Sequence, residues 1–350
     1  MPSPMINDRF LRACRRQPVD RTPVWFMRQA GRYMVEYQAI RKKYSILEVC
    51  KTPELAAEVT LQPIERFPLD AAIIFADILL PLEPMGLDLA FVEDKGPVIS
   101  NPVRNADDVA RLKVVDGAAF GFSYDAVSLA IKQLAGRVPL IGFAGGPFTL
   151  ASYAIEGGSS RSYITTKRMM FSQPKQWHTL LEKFSNVVTN YLLLQVHAGA
   201  QAIQLFDSWV GCLAPNDYKE YALPHVMRII DRLRQENIPI IYFGTGTSTL
   251  LPLMKQSGSD VVGLDWHVEL DEAWARLGYD VGVQGNLDPV VLYAPVEEID
   301  RRVKDILERA RKRPGHIFNL GHGILPRTPV EHVDAAIASV HKYGDVKFDS

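Results

Sequence analysis

Eight short apolar runs recur along this chain, at residues 23–26, 70–75, 138–143, 202–206, 239–243, 261–264, 281–284 and 316–320, and they leave few folds open to it. Each is rich in β-branched or aromatic residues, each stops at polar or glycine residues, and each is followed by sequence of helical character. Runs of that kind read as buried strands. Eight strand–helix cycles in 350 residues predict an α/β chain folded as a (β/α)8 TIM-type barrel, one domain over residues 1–350. A doubly wound sheet is the alternative, but it has less reason to end every strand in polar or glycine residues.

The intervening sequence fits that frame. Residues 7–14 form a short capped helical lead-in, and Thr52-Pro53-Glu54 starts a helix that runs toward Phe67 and kinks near Pro63. Residues near 87–99 alternate and turn at Asp94-Lys95-Gly96, which suggests an inserted hairpin. Further helices are expected at 107–112, 123–135, 148–155, 296–312 and 329–343. Over 175–197, Trp177, Leu180, Leu181, Phe184, Val187, Val188, Tyr191 and Leu192 fall at helical spacing and mark a core-facing stripe.

Bulk charge narrows the partners. Lys+Arg 39 against Asp+Glu 40 gives a formal net charge of -1, so no global field points to nucleic acid or to a membrane surface. Cys14, Cys50 and Cys212 lack CxxC spacing, which argues against a disulfide framework and for a reducing, cytoplasmic home. The first sixteen residues are charged rather than apolar, so no signal peptide is expected. No apolar run approaches the roughly 20 residues needed to span a bilayer.

In such a barrel the strand ends share one face, the face where barrel enzymes keep their sites. That face would gather Arg28, Arg32, Asp77, Tyr153, Asp207, Ser208, Asp265, Gln284 and His322. The run Val24-Trp25-Phe26-Met27 delivers Arg28 and Arg32 to a loop, and guanidinium forks suit carboxylates or phosphates. Their alternative use is as surface charges or in structural ion pairs. Asp77 follows the uncharged stretch 71–75 of its strand and precedes Ile78-Leu79-Leu80-Pro81, so it would be an anion in a dry mouth. There it either accepts N–H donors and stabilises a reaction cation, or it caps a helix or pairs with Arg32. No lysine ends a strand, which counts against a Schiff base, and a single strand-end histidine with few carboxylates counts against a metal cluster. Residues 244–249, rich in glycine and threonine, read either as a phosphate cradle or as a plain turn with a helix cap. His178, His197, His225, His332 and His341 fall on helices as surface or half-buried residues, and His267 lies near a strand end with its role open.

Six segments together resemble the uroporphyrinogen decarboxylase family: Met27-Arg28-Gln29-Ala30-Gly31-Arg32-Tyr33, residues 67–75, residues 142–150, Gly263-Leu264-Asp265-Trp266, Gln284-Gly285-Asn286-Leu287-Asp288-Pro289 and Asn319-Leu320-Gly321-His322-Gly323. The resemblance implies a homodimeric (β/α)8 enzyme of haem and chlorophyll biosynthesis that uses neither cofactor nor metal. Such an enzyme removes carbon dioxide from the four acetate arms of uroporphyrinogen. It puts Arg28, Arg32 and Arg41 on substrate carboxylates, Asp77 at the pyrrole N–H groups, Tyr153, Ser208 and His322 around the arms, and Phe206 against the macrocycle. For the proton donor, Arg28 is the first choice, with Tyr153 or His322 as alternatives. The match is loosest over 243–247.

Two rivals keep part of this pattern. Cobamide-dependent methyltransferases resemble the family but bind zinc through a His-x-Cys pair after a strand, and here the corresponding ends read Tyr242-Phe243-Gly244 and Leu320-Gly321-His322 without cysteine. A non-catalytic tetrapyrrole carrier would keep the arginines but would have no need of Asp77.

Overall fold

The computed structural model describes residues 5–93 and 95–346, so Asp94 of the expected turn lies outside the described residues. Seven parallel strands form one sheet: β1 (Ala72–Ile73), β4 (Leu140–Gly145), β5 (Ala202–Phe206), β6 (Ile240–Phe243), β7 (Val261–Gly263), β8 (Gly282–Gln284) and β9 (His316–Ile317), paired in that order. Between the first two, β2 (Leu89–Val92) and β3 (Gly96–Ile99) make an antiparallel hairpin. Helices stand between successive sheet strands, as parallel pairing requires. All six residues of β4 are buried, which explains why it reads as a continuous apolar run instead of an alternating one.

The two outermost runs are shorter as strands than their apolar sequence suggests, because side chains take over ladder bonds. The Val24 N–H donates to Asp70 Oδ2 at 2.8 Å, and Asp70 is itself held by Arg9 at 2.6 Å and Asn7 at 2.9 Å. Residues 23–26 keep one parallel bridge, Val24 to Phe318, with the Phe318 N–H on the Pro23 carbonyl at 2.8 Å and the Asp70 N–H on the Val24 carbonyl at 2.8 Å. At the other end β9 stops at Ile317, and the Asn319 carboxamide oxygen accepts the N–H groups of Met27 at 3.1 Å and Leu320 at 2.8 Å.

Inside the sheet, Trp25, Met27, Ala71, Ile141, Ala202, Ile241, Phe243, Val261 and Ile317 pack together. One polar chain crosses them: Trp25 Nε1 donates to Gln284 Oε1 at 3.0 Å, and Gln284 Nε2 donates to Gln204 Oε1 at 3.0 Å. Buried amides of this kind are tolerable only when paired, as these are. Outside the sheet, the helix Pro174–His197 buries every member of its expected stripe. Pro53–Arg66 runs on through Pro63, and its Thr52 N-cap makes no side-chain bond, contrary to the sequence reading. The lead-in helix spans Arg9–Cys14, also without a side-chain cap. Ser45, by contrast, forms a complete capping box with Glu48. Among the described residues no helix is long and apolar enough to cross a membrane.

Candidate active site

A cavity of about 170 Å³ opens at the C-terminal ends of the strands, and Arg28, Asp77, Phe206, Ser208 and His322 all line it. Arg28 sits in the left-handed region at φ 59, a conformation that costs a non-glycine residue free energy and needs support. The support surrounds it. Met27 is gripped on both sides, its N–H by Asn319 and its carbonyl by the Ile324 N–H at 2.9 Å. Gln29 spans the turn, accepting the Phe26 N–H at 3.2 Å and donating to the Ala71 carbonyl at 3.2 Å. The Arg28 stem then lies on Gly323, where an added Cβ would stand 2.4 Å from Arg28 Cδ. Among the described residues no carboxylate lies within 4.0 Å of the Arg28, Arg32 or Arg41 guanidinium, so the ion-pair alternative, including an Asp77–Arg32 pair, is not what forms.

Asp77 commits one oxygen to its own turn, with Oδ1 accepting the Leu79 N–H at 2.8 Å. Its second oxygen has no hydrogen-bond partner among the described residues. Burial pushes its pKa above the ordinary carboxylate range, opposed by that N–H and by the Arg28 charge. The Phe206 ring lies between two others, 5.4 Å from Phe143 and 5.8 Å from Phe243, both edge-on. Phe206 and Phe243 are register partners on neighbouring strands, and Gly263 leaves room for Phe243, because a Cβ there would approach its ring to 2.7 Å. Burial, helped by the Arg28 charge, lowers His322 to about 4, so its imidazole is neutral near pH 7.

Six expected residues stand outside the cavity lining. Tyr153, on the helix Pro147–Glu156, is buried with its ring 6.2 Å from Trp209; burial first and then the Asp77 charge raise its pKa, keeping the phenol protonated. Arg32 is exposed and Arg41 half-buried, both in the segment just after the arginine loop. Asp207, Asp265 and Gln284, expected at the mouth, are instead fully buried and spent on internal bonds. Asp265 accepts the His267 N–H at 3.2 Å, contacts His267 Nδ1 at 2.8 Å and also takes the Gly246 N–H. That gives His267 its role and makes the 244–249 loop a tied turn, leaving the Gly246 donor unavailable to a phosphate. His225 is more buried than expected, with its Nε2 3.0 Å from His178 Nδ1 and its pKa lowered by burial to about 4.

Phe143, Phe243, Gln29 and Asn319 were not singled out from the sequence. The two phenylalanines had a signal, since each closes the apolar run of its strand as Phe206 does. Asn319 opens one of the segments that carry the family resemblance, but nothing in the sequence showed its task, which depends on a chain segment 292 residues away.

Among the described residues no group of three or more His, Cys, Asp or Glu is arranged to hold a metal ion. Burial raises the thiol pKa of Cys14 and Cys50, and that of Cys212 to about 11, so none is a thiolate near pH 7.

Comparison with known proteins places this geometry in a family. The sequence model of uroporphyrinogen decarboxylase (URO-D) matches residues 5–343. Uroporphyrinogen decarboxylase of Carboxydothermus hydrogenoformans is 54% identical over 345 residues, covering 98% of this chain and 99% of that protein. That of Sorangium cellulosum is 57% identical over 337 residues, covering 96% of each. Among solved structures, a methyltransferase from Methanosarcina mazei superposes with a TM-score of 0.79 at 20% identity over 97% of this chain and 99% of that one. A B12-independent methionine synthase from Shewanella follows at 0.56 and 14%, over 83% and 88%. At such identities these two share the fold alone. The sequence matches extend over nearly all of the chain and of its relatives, and the protein belongs to the uroporphyrinogen decarboxylase family.

Proposed function

We propose that this chain converts uroporphyrinogen to coproporphyrinogen by removing carbon dioxide from its four acetate arms, using side chains alone. The observation that carries the proposal is one cavity holding an unpaired arginine, Arg28, and an aspartate with a free oxygen, Asp77, above a floor of aromatic rings. Uroporphyrinogen is a flexible ring of four pyrroles with eight carboxylates. Its N–H groups need one anionic acceptor, which Asp77 offers, and its pyrrole faces need an apolar wall, which Phe206 offers. The cavity is smaller than the about 300–1,000 Å³ of ordinary ligand pockets. It therefore takes the ring centre and one acetate, with the other carboxylates outside toward Arg32 and Arg41.

Each cycle starts with a proton added to a pyrrole carbon beside the acetate-bearing one, which leaves a cation on the ring. The bond to the carboxylate breaks, its electron pair neutralises the cation, and carbon dioxide departs. A proton then adds to the exposed methylene to make the methyl group, and the ring carbon gives up its added proton. Ionised Asp77 stabilises the cation in a medium of low dielectric. Arg28 is assigned the first proton by position, since His322 is neutral and Tyr153 lies outside the cavity lining. A guanidinium holds its proton tightly and gives it up only where the product is stabilised at once, and Asp77 supplies that.

The hydrogen bonds of residues 23–26 to Phe318 on one side and Asp70 on the other support a sheet closed by an eighth strand into a single-domain (β/α)8 barrel. The family resemblance supports a cytoplasmic homodimer, which sedimentation at twice the 39.2 kDa chain mass would bear out and a monomer would refute.

Anaerobic incubation with uroporphyrinogen in the presence of a chelator tests the activity. Coproporphyrinogen formed through seven-, six- and five-carboxylate intermediates is the expected result. Binding without release of carbon dioxide would make the protein a tetrapyrrole carrier instead.

A further inference from the structure

We propose that Asp207 is a positioning residue for this reaction, fastening the strand end that bears Phe206 and Ser208 to the helix that bears Tyr153. The inference rests on the function proposed above. Asp207 is fully buried and does not line the cavity, so it acts through its neighbours.

The helix Pro147–Glu156 begins on Gly146, which has no side chain to cap it. The cap comes from the next strand instead: Asp207 Oδ1 accepts the Thr149 N–H at 2.8 Å. A carboxylate at a helix N-terminus is favoured both as an acceptor and by the helix dipole. Only glycine leaves room for it, because a Cβ on residue 146 would stand 2.4 Å from Asp207 Cγ. The same junction is bonded twice more. The Gly146 N–H donates to the Phe206 carbonyl at 2.7 Å, and the Trp209 N–H donates to Thr149 Oγ1 at 3.2 Å. Trp209 then packs on Tyr153, one helical turn beyond Thr149.

The second oxygen of Asp207 faces a pair of buried phenols. Tyr242 Oη donates to Oδ2 at 3.3 Å, and Tyr218 Oη donates to Tyr242 Oη at 3.1 Å. The Asp207 N–H meanwhile donates to the Phe243 carbonyl at 2.8 Å. Two rings of the cavity floor, the Ser208 side chain and the Tyr153 helix thus share one buried anchor. Substrate passes this wall four times with a different acetate presented each time, so wall placement governs whether a partly decarboxylated ring is reacted again or released.

The test compares the wild type with Asp207→Ala and Asp207→Asn on uroporphyrinogen. Asparagine keeps the acceptor for Thr149, and the Tyr242–Tyr218 pair can reverse its donor direction to meet the new amide. Asp207→Asn should therefore stay near the wild type. Asp207→Ala should lower kcat by about tenfold or more, the scale of sub-ångström misplacement, with less change in KM and with accumulation of seven- to five-carboxylate intermediates. Thr149→Val, which keeps the shape but removes the hydroxyl that holds the Trp209 N–H and faces the Asp207 carboxylate, should shift the intermediates the same way and covers the case in which Asp207→Ala does not fold. Unchanged intermediates in Asp207→Ala or, failing its folding, in Thr149→Val would overturn the proposal and leave Asp207 a stability residue. If the wild type itself releases no carbon dioxide, the functional reading fails first and the positioning role falls with it.

Discussion

At Asp77 one oxygen is committed to the Leu79 N–H and the other has no hydrogen-bond partner among the described residues, while burial makes the charge costly to hold. Asp77→Asn should therefore cost turnover about 10²–10³-fold, the range for losing a preorganised charge, yet leave the melting temperature unchanged or higher. Near-normal turnover would remove the cation-stabilising role. The same burial sets a pH dependence. In the proposed mechanism the ionised form does the chemistry, and its pKa is raised, so activity should fall with decreasing pH at values above the ordinary carboxylate pKa of about 3.9. That acid limb should vanish in the residual activity of Asp77→Asn, and a limb surviving there would assign it to another group. Arg28 offers a steric test: Gly323→Ala pushes a methyl into its stem and should lower kcat/KM by about tenfold or more without loss of secondary structure by circular dichroism. Arg28, Asp77, Ser208 and His322, which line the cavity, were legible because residue type and strand-end position both marked them, whereas Phe206 was pointed to by the family resemblance alone. Asp207 was marked by the same position and misled, since a strand end can face the cavity or the helix behind it, and only the structure tells which.

Among the elements, helix starts show where local sequence suffices and where it does not. Ser45 and Glu48 bond each other's backbone, whereas Thr52 has the right residue type but makes no side-chain bond, its helix starting on Pro53. In thermal unfolding Ser45→Ala should cost about 1 kcal/mol, and Thr52→Ala no more than about 0.5 kcal/mol. Equal losses would mean that propensity outweighs the observed caps. The strands divide the same way. The run 202–206 was legible to the residue, because β5 lies between two neighbours and its ladder is complete. Residues 70–75 shrink to Ala72–Ile73 and 316–320 to His316–Ile317, since Asp70 and Asn319 turn backbone bonding over to side chains. An apolar run reports burial well and ladder length poorly.

For the whole molecule, a formal net charge of -1 leaves no field to gather a polyanionic ligand from afar, so the recognition proposed for the arginines has to be local. The alternation of strand and helix was visible along the chain because every strand of the seven-stranded sheet is parallel and needs a crossover. What periodicity could not show is how the ends of the chain meet. Residues 23–26 hold Arg28 in place, yet their sheet partner is Phe318 and the grip on Met27 comes from Asn319. During synthesis the segment that carries Arg28, the proposed proton donor, must wait for Asn319, 292 residues after Met27, before its geometry exists. The proposed chemistry thus waits on a late-made segment, and a chain halted before Asn319 has the arginine without the means to aim it.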